Sequence, residues 1–113
     1  MNPRGERAEE LAADFLRRAG LHIAGRNYRC RFGEIDLIAR DGATVVFVEV
    51  RHRASGAYGG AAASITPAKR EKLLKTARHY LAGITPVPPC RFDAVLITGE
   101  PPRIEWLRNA IEE

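Results

Sequence analysis

The stretch GEIDLIARDGATVVFVEVRHR, residues 33–53, decides the predicted fold of this chain. Residues 34–40 alternate as a half-buried β-strand does. One face is expected to carry Ile35, Leu37 and Ala39, and the other Glu34, Asp36 and Ile38. Asp41-Gly42 is a strong hairpin signal, and residues 45–50 are β-branched and nearly all apolar, as in a central strand. The stretch therefore predicts a β-hairpin in the middle of a sheet.

Two acidic residues of this hairpin, Asp36 and Glu49, form a candidate metal site. With Asp41 and Gly42 as the two loop residues, Asp36 is expected opposite Phe47, with Glu49 one diagonal away on the same face. Diagonal neighbours lie about 7–8 Å apart, so both carboxylates can reach one cation. Oxygen ligands suit Mg²⁺ or Mn²⁺ better than zinc. An ion pair of either carboxylate with Arg51 or Arg53 is the alternative interpretation, and the spacing favours neither.

The remaining sequence predicts two helices and two further strands. Apolar residues at three- and four-residue steps predict a helix over residues 8–19, ended by Gly20. Thr66-Pro67 supplies a cap and a first residue for a second helix. Its apolar stripe comprises Leu73, Leu74, Ala77, Tyr80 and Leu81. Strands are expected at residues 92–97 and 103–107, and a mobile loop at residues 54–64, which gives the order α-β-β-α-β-β.

Length and composition limit the classes of protein that fit. At 113 residues, a single domain over residues 1–113 is expected. No apolar run approaches the roughly 18 residues that cross a bilayer, and the charged N-terminus does not resemble a secretory signal, so we expect a cytoplasmic protein without a membrane partner. Cys30 and Cys90 are too far apart, and too distant from histidine partners, to indicate a zinc site or a disulfide framework.

Positive charge is concentrated in the second helix. The whole chain carries 18 basic and 14 acidic residues, a net charge of +4. Lys69 and Arg70 in the first turn, with Lys72 on one flank, are expected to line a groove for a phosphodiester backbone. Lys75 and Arg78 are expected to belong to a solvated face.

A second basic cluster precedes the hairpin. It consists of Arg26, Arg29 and Arg31, interleaved with Tyr28 and Phe32. Such a mixture can bind phosphates and stack on bases, or the two aromatic residues can serve as lids over the core.

Glu9, at the rim of the apolar stripe of the first helix, is a third acidic candidate for the metal site of Asp36 and Glu49. Its alternative interpretation is a solvated residue near a helix N-terminus.

The hairpin resembles the signature of the YraN-type bacterial proteins, a group related to restriction-endonuclease-like nucleases. Residues 33–41 and 47–53 carry most of the similarity. Residues 9–12, 27–31, 69–81 and 91–93 are also similar, so the resemblance covers nearly the whole chain. It implies an α/β fold of the αβββαβ type, with a mixed central sheet flanked by helices. Residues 23–30 would supply the strand missing from the predicted order.

The resemblance also implies a site and an activity. Glu9, Asp36 and Glu49 match the acidic residues that hold Mg²⁺ or Mn²⁺ in such nucleases, and the carbonyl of Val50 is a further candidate ligand. The implied partner is nucleic acid, DNA in structured or branched form, with homodimers known among resolvase-like relatives. Arg29, Arg31, Arg53, Lys69, Arg70 and Lys72 are the expected nucleic-acid contacts.

Two positions depart from the nuclease pattern. Arg51 stands where such nucleases carry a lysine, and Ala8 where a glycine precedes the helix glutamate. A guanidinium stays charged, so Arg51 can stabilise negative charge but cannot act as a general base. The function that the resemblance implies is a metal-dependent endonuclease, in which Arg51 would have this limited role. A nucleic-acid-binding protein of nuclease fold without turnover, and a small scaffold protein held by ion pairs, remain as alternatives.

Overall fold

The computed structural model describes residues 3–53 and 66–110. Its elements are α1 (Pro3–Arg18), β1 (His22–Cys30), β2 (Gly33–Asp41), β3 (Thr44–Arg53), α2 (Pro67–Leu81), β4 (Cys90–Thr98) and β5 (Arg103–Leu107). The strands form one sheet in the order β1-β2-β3-β4-β5. Only β3 and β4 pair in parallel; the other neighbours are antiparallel. The predicted α/β fold with a mixed sheet is confirmed, and the expected additional strand is β1, at one edge.

The two helices cover opposite faces of the sheet. α1 packs through Ala12, Ala13 and Leu16 on a face that includes Val46 and Val48. α2 packs on the other face, where Ala77, Phe47 and Phe92 lie together with Ile38 and Val45. Because β3 alternates between these two clusters, it is buried on both sides, as its apolar sequence predicted. Within the described ranges, no helix is long and apolar enough to cross a membrane.

Both helix ends match their sequence signals. After α1, Gly20 adopts a φ of 101°, and the Leu21 N–H donates to the Leu16 carbonyl at 3.0 Å. Before α2, the hydroxyl of Thr66 accepts from the Lys69 N–H at 3.2 Å, and Pro67 is the first helical residue. The cap therefore stabilises the first turn of α2, which carries Lys69.

The predicted hairpin register is wrong. Asp41 pairs with Thr44, so the loop residues are Gly42 and Ala43, one position later than expected. Phe47 consequently lies opposite Ile38 and not opposite Asp36. Gly42 has a φ of 61°, a conformation that glycine adopts at low cost. The Asp41 carboxylate meets the Arg91 guanidinium of β4 at 3.0 Å, which favours its place within the strand.

The predicted faces of β2 are also partly wrong. Leu37 and Ala39 belong to the cluster under α1, whereas Ile35 lies with Ile38 in the cluster under α2. The regular alternation is therefore broken between Ile35 and Leu37. Within the described residues, pairing between β2 and β3 ends at Leu37 and Val48, while β1 stays paired with β2 and β4 with β3. The two central strands thus separate, and we call this opening the fork.

Candidate functional site

Asp36 lies at the base of the fork. Its carboxylate accepts a hydrogen bond of 2.8 Å from the N–H of Val50 in β3. The side chain thereby satisfies a backbone donor just beyond the last pair of the β2–β3 ladder. This bond accounts for the break in alternation, because the Asp36 side chain is directed toward the neighbouring strand.

Asp36 and Glu49 are drawn together at the fork, as predicted, although through a different register. The pKa of Asp36 is raised from 3.8 to about 7, chiefly by burial and next by the nearby Glu49 carboxylate, against the Val50 N–H, which lowers it. Burial also raises the pKa of Glu49, while Arg51 and Lys69 oppose that rise. Two desolvated carboxylates that repel each other favour the binding of a proton or a metal cation between them.

Glu49 already has one cationic partner. Its carboxylate lies 3.1 Å from the guanidinium of Arg51, with side chains that are 15% and 25% exposed respectively. The ion-pair interpretation is therefore confirmed for Glu49 with Arg51. The pair occupies only part of the guanidinium, since the buried Nε of Arg51 has no hydrogen-bond partner among the described residues.

A groove of about 240 Å³ opens beside this pair, between the fork and the start of α2. Glu34, Glu49, Arg51, Lys69 and Lys72 line it, together with Gly33 and Leu73. The predicted position of Lys69 and Lys72 at a groove is confirmed, and their contact with nucleic acid stays a prediction. Sequence reasoning missed Gly33, Glu34 and Leu73 as lining residues. Glu34 could have been found from its position two residues before Asp36, on the same face of the predicted strand.

Gly33 allows the groove to form. A Cβ atom at this position would lie 3.2 Å from the Thr76 hydroxyl and 3.8 Å from the Cβ of Lys72, and its φ is 153°. The start of β2 can therefore approach α2 closely only without a side chain here. The start of β2, just before the fork, thus lies against the part of α2 that carries Lys72 and Thr76.

Glu9 acts on the fork from the α1 side. It is half-buried, and its charge contributes to the raised pKa of Asp36. Glu6, Glu10 and Asp14 are exposed, as expected. In the part of the chain that is described, no group of three or more His, Cys, Asp or Glu residues is placed to hold a metal ion. The role of Glu9 as a third ligand stays a prediction.

The carboxylate pair fits a hard divalent cation. Mg²⁺ usually keeps several waters and binds one or two carboxylates together with substrate phosphates, so two protein ligands are sufficient. Burial is the largest cause of the raised pKa of Asp36 and the Glu49 charge the next, so a cation placed beside this carboxyl would favour its charged form. Asp36 and Glu49 are therefore the residues that would hold the ion, with Arg51 as its competitor for Glu49.

The other predicted nucleic-acid contacts have different surroundings. Arg29 pairs with Glu34, and the Arg31 guanidinium lies 4.8 Å from the centre of the Phe32 ring. Arg70 is half-buried on α2. Arg53 ends β3, and its side chain lies outside the described residues, as does the loop expected at residues 54–64. These four arginines stay predictions as contacts to nucleic acid.

The aromatic residue Tyr28 serves as a lid. Its ring packs against Tyr80 in the cluster under α2, at 5.2 Å between centroids, and its hydroxyl lies 2.5 Å from Nδ1 of His79. The lid interpretation is thus the right one for Tyr28.

On the far side of α2, Lys75 pairs with Glu71 at 3.6 Å, consistent with a solvated face.

Comparison with known proteins identifies the family of this chain. The model of the Uncharacterised protein family UPF0102 matches residues 8–97, a segment that contains Glu9, Asp36, Glu49 and Lys69. The chain belongs to the UPF0102 family. This is the YraN-type family whose signature the hairpin resembles.

Several UPF0102 proteins are similar over almost their full length. One from Nitrosomonas europaea is 60% identical over 97% of this chain and 94% of its own length. One from Cupriavidus taiwanensis is 57% identical over 96% of this chain and 82% of its own length. One from Methylobacillus flagellatus is 52% identical, with 97% of each chain covered.

Proposed function

We propose that this UPF0102 protein is a metal-dependent endonuclease that hydrolyses phosphodiester bonds of DNA. One observation carries the proposal: the half-buried carboxyls of Asp36 and Glu49 meet where two central strands separate, beside a groove whose lining includes Arg51, Lys69 and Lys72. Acidic residues for a cation next to basic residues for a phosphate are the combination that metal-assisted phosphodiester hydrolysis requires.

Asp36 and Glu49 would hold the ion. When bound there, Mg²⁺ or Mn²⁺ supplies a Lewis acid and a water of lowered pKa. The Val50 N–H holds Asp36 in a fixed position, so the carboxylate is oriented before substrate arrives. Glu9, on the α1 side of Asp36, adds negative charge and accepts hydrogen bonds from water there.

The basic residues of the groove would bind the substrate. Lys69 and Lys72 place ammonium groups beside the acidic pair, where they contact phosphate oxygens. The guanidinium of Arg51, which lines the groove, contacts the phosphate on which negative charge develops. These contacts recognise backbone and not bases, so structured or branched DNA suits the site better than a short recognition sequence.

The test is cleavage by the full chain. Labelled branched, nicked and single-stranded DNA is incubated with Mg²⁺ or Mn²⁺ and with variants Asp36→Asn and Glu49→Gln. Each variant is expected to lower the cleavage rate at least 100-fold, with Glu10→Gln on the exposed face of α1 as the matched control. Cleavage that persists in both variants would reject the site.

The Arg51–Glu49 pair favours a second function, nucleic-acid binding without turnover. Arg51 offers positive charge to Glu49 at 3.1 Å and so competes with a metal ion. Arg51→Lys separates the two functions: cleavage that arises only in this variant, with unchanged DNA affinity, assigns binding alone to the natural chain. Lys69→Ala is expected to weaken binding under either function, whereas Lys75→Ala, on the outer face of the same helix, is its control.

A further inference from the structure

A second cavity, of about 430 Å³, opens on the opposite face of the sheet from the groove. It lies between the first half of α1, the end of β3 and the turn after β4. Its lining includes Arg7, Leu11, His52, Ile97, Glu100 and Pro102. The volume falls within the range of small-molecule sites in proteins, roughly 300–1,000 Å³.

The cavity has a floor and a rim of different chemistry. Leu11 and Pro102 provide apolar surface above the fully buried Ile97, and Leu11 and Ile97 belong to the packed cluster under α1. Arg7, His52 and Glu100 are exposed side chains at its rim. The cavity therefore offers an apolar surface for a flat group, two nitrogen-bearing side chains for an anion, and one carboxylate as a hydrogen-bond acceptor.

The cavity and the groove share the end of β3. Arg51 faces the groove and His52, the next residue, faces the cavity, because successive strand residues point to opposite faces. Glu9, which acts on Asp36, lies on α1 between Arg7 and Leu11 of the cavity lining. The cavity and the groove therefore meet only at the end of β3, where a nucleic-acid strand would have to pass around the edge of the β2–β3 opening to reach both.

We propose that the cavity binds one unpaired nucleotide. Its base lies on the apolar floor with an N–H directed to Glu100, and its phosphate contacts Arg7 and His52. An extruded base is held in this manner by apolar surfaces and by hydrogen bonds to its polar edge. The choice of ligand rests on the proposed nuclease function, while the cavity itself does not depend on it.

The test is a titration of the ¹⁵N-labelled full chain with adenosine 5′-monophosphate in buffer with EDTA. Saturable amide shifts are expected at Leu11, His52 and Ile97. Shifts that instead cluster at Gly33 and Leu73 of the groove, or no saturable shifts, would overturn the proposal. Ribose 5-phosphate and adenosine are each expected to bind at least tenfold more weakly than the nucleotide; ribose 5-phosphate that binds equally well would also overturn it.

Two variants locate the binding. Arg7→Ala is expected to weaken adenosine 5′-monophosphate affinity about tenfold, since a charge-assisted contact is lost. Arg17→Ala, at the other end of α1, where Arg17 pairs with the exposed Asp14, is the matched control and should bind as the natural chain does. Unchanged affinity in Arg7→Ala would contradict the assignment.

Failure of this proposal is distinguishable from failure of the nuclease proposal. Asp36→Asn is expected to lose cleavage and to keep nucleotide affinity within twofold. Nucleotide binding in a chain that never cleaves DNA would leave the cavity assignment standing alone. Cleavage without nucleotide binding would overturn only the cavity assignment.

Discussion

Asp36 is held where its charged form is disfavoured. Its raised pKa, about 7 against an ordinary 3.8, means that the folded chain binds a proton more tightly than the unfolded chain between these values. The free energy of unfolding should therefore fall as pH rises from 4 to 7, by ~2–4 kcal/mol. In Asp36→Asn this fall should be much reduced, so the variant gains stability relative to the natural chain at pH 8 and not at pH 4.

Urea denaturation at several pH values measures the difference. Asp14→Asn is the control, because Asp14 is exposed on α1 and forms a surface ion pair with Arg17 one turn away. Parallel stability curves for Asp36→Asn and the natural chain would contradict the raised pKa.

Arg51 balances part of the negative charge at the fork. Under the proposed function, Arg51→Gln removes the guanidinium that lies 3.1 Å from Glu49 and leaves both carboxylates available to a cation. We expect Mn²⁺ affinity to rise several-fold in this variant, because the local net charge becomes more negative. Titration followed by electron paramagnetic resonance measures this; the exposed Arg17→Gln is the control, and equal or weaker affinity in Arg51→Gln would count against a metal at this pair.

At the scale of elements, strands were easier to predict than their register. The alternation and apolar content of residues 33–53 indicated both central strands, and both are present. Their register was wrong because Asp41-Gly42 and Gly42-Ala43 are both acceptable loop dipeptides, and the observed register is accompanied by an ion pair of Asp41 with Arg91, a residue 50 positions later in the sequence. Asp36 departs from strand alternation because its side chain bonds to Val50, a contact that periodicity does not encode.

The contact between β2 and α2 gives a prediction at the same scale. Gly33→Ala adds a Cβ atom 3.2 Å from the Thr76 hydroxyl at a position with a φ of 153°. It should lower the free energy of unfolding by ~1–3 kcal/mol, because strain and crowding add. Gly25→Ala on β1, where a Cβ would meet nothing within 4 Å, should change it far less. Thermal unfolding compares the two, and equal losses would show that the close approach does not constrain the fold.

At the scale of the whole molecule, the residues that meet at the fork could be predicted from the sequence, whereas the cavity on the α1 side could not. Asp36, Glu49 and Lys69 were identified as candidates from their charges and positions, and the structure brings them to one place. The cavity under α1 was not predicted, because its lining comes from three elements that are far apart in sequence. Only the packing of α1 on the sheet brings Arg7, His52 and Glu100 together.

One buried carboxylate, Asp93, connects the β4–β5 side of the sheet with the central β2–β3 hairpin. Asp93 in β4 is fully buried and accepts hydrogen bonds from Arg91 Nε at 3.1 Å, Trp106 Nε1 at 2.9 Å and the Asn109 N–H at 3.0 Å. Arg91 also reaches Asp41 of β2. One side chain thus connects β4 with β5 and, through Arg91, with the central hairpin.

Asp93→Asn is therefore expected to destabilise the whole chain and to leave the fork intact. The loss should be ~3–5 kcal/mol, because Arg91 loses the charge of a buried partner. Trp106→Phe, which removes one donor to Asp93, should cost about 1–2 kcal/mol. Urea denaturation measures both losses, and Mn²⁺ affinity of the folded variants at low temperature should equal that of the natural chain. An Asp93→Asn chain as stable as the natural one would show that the Asp93 charge contributes little beyond the strand pairing and apolar packing of this part of the sheet.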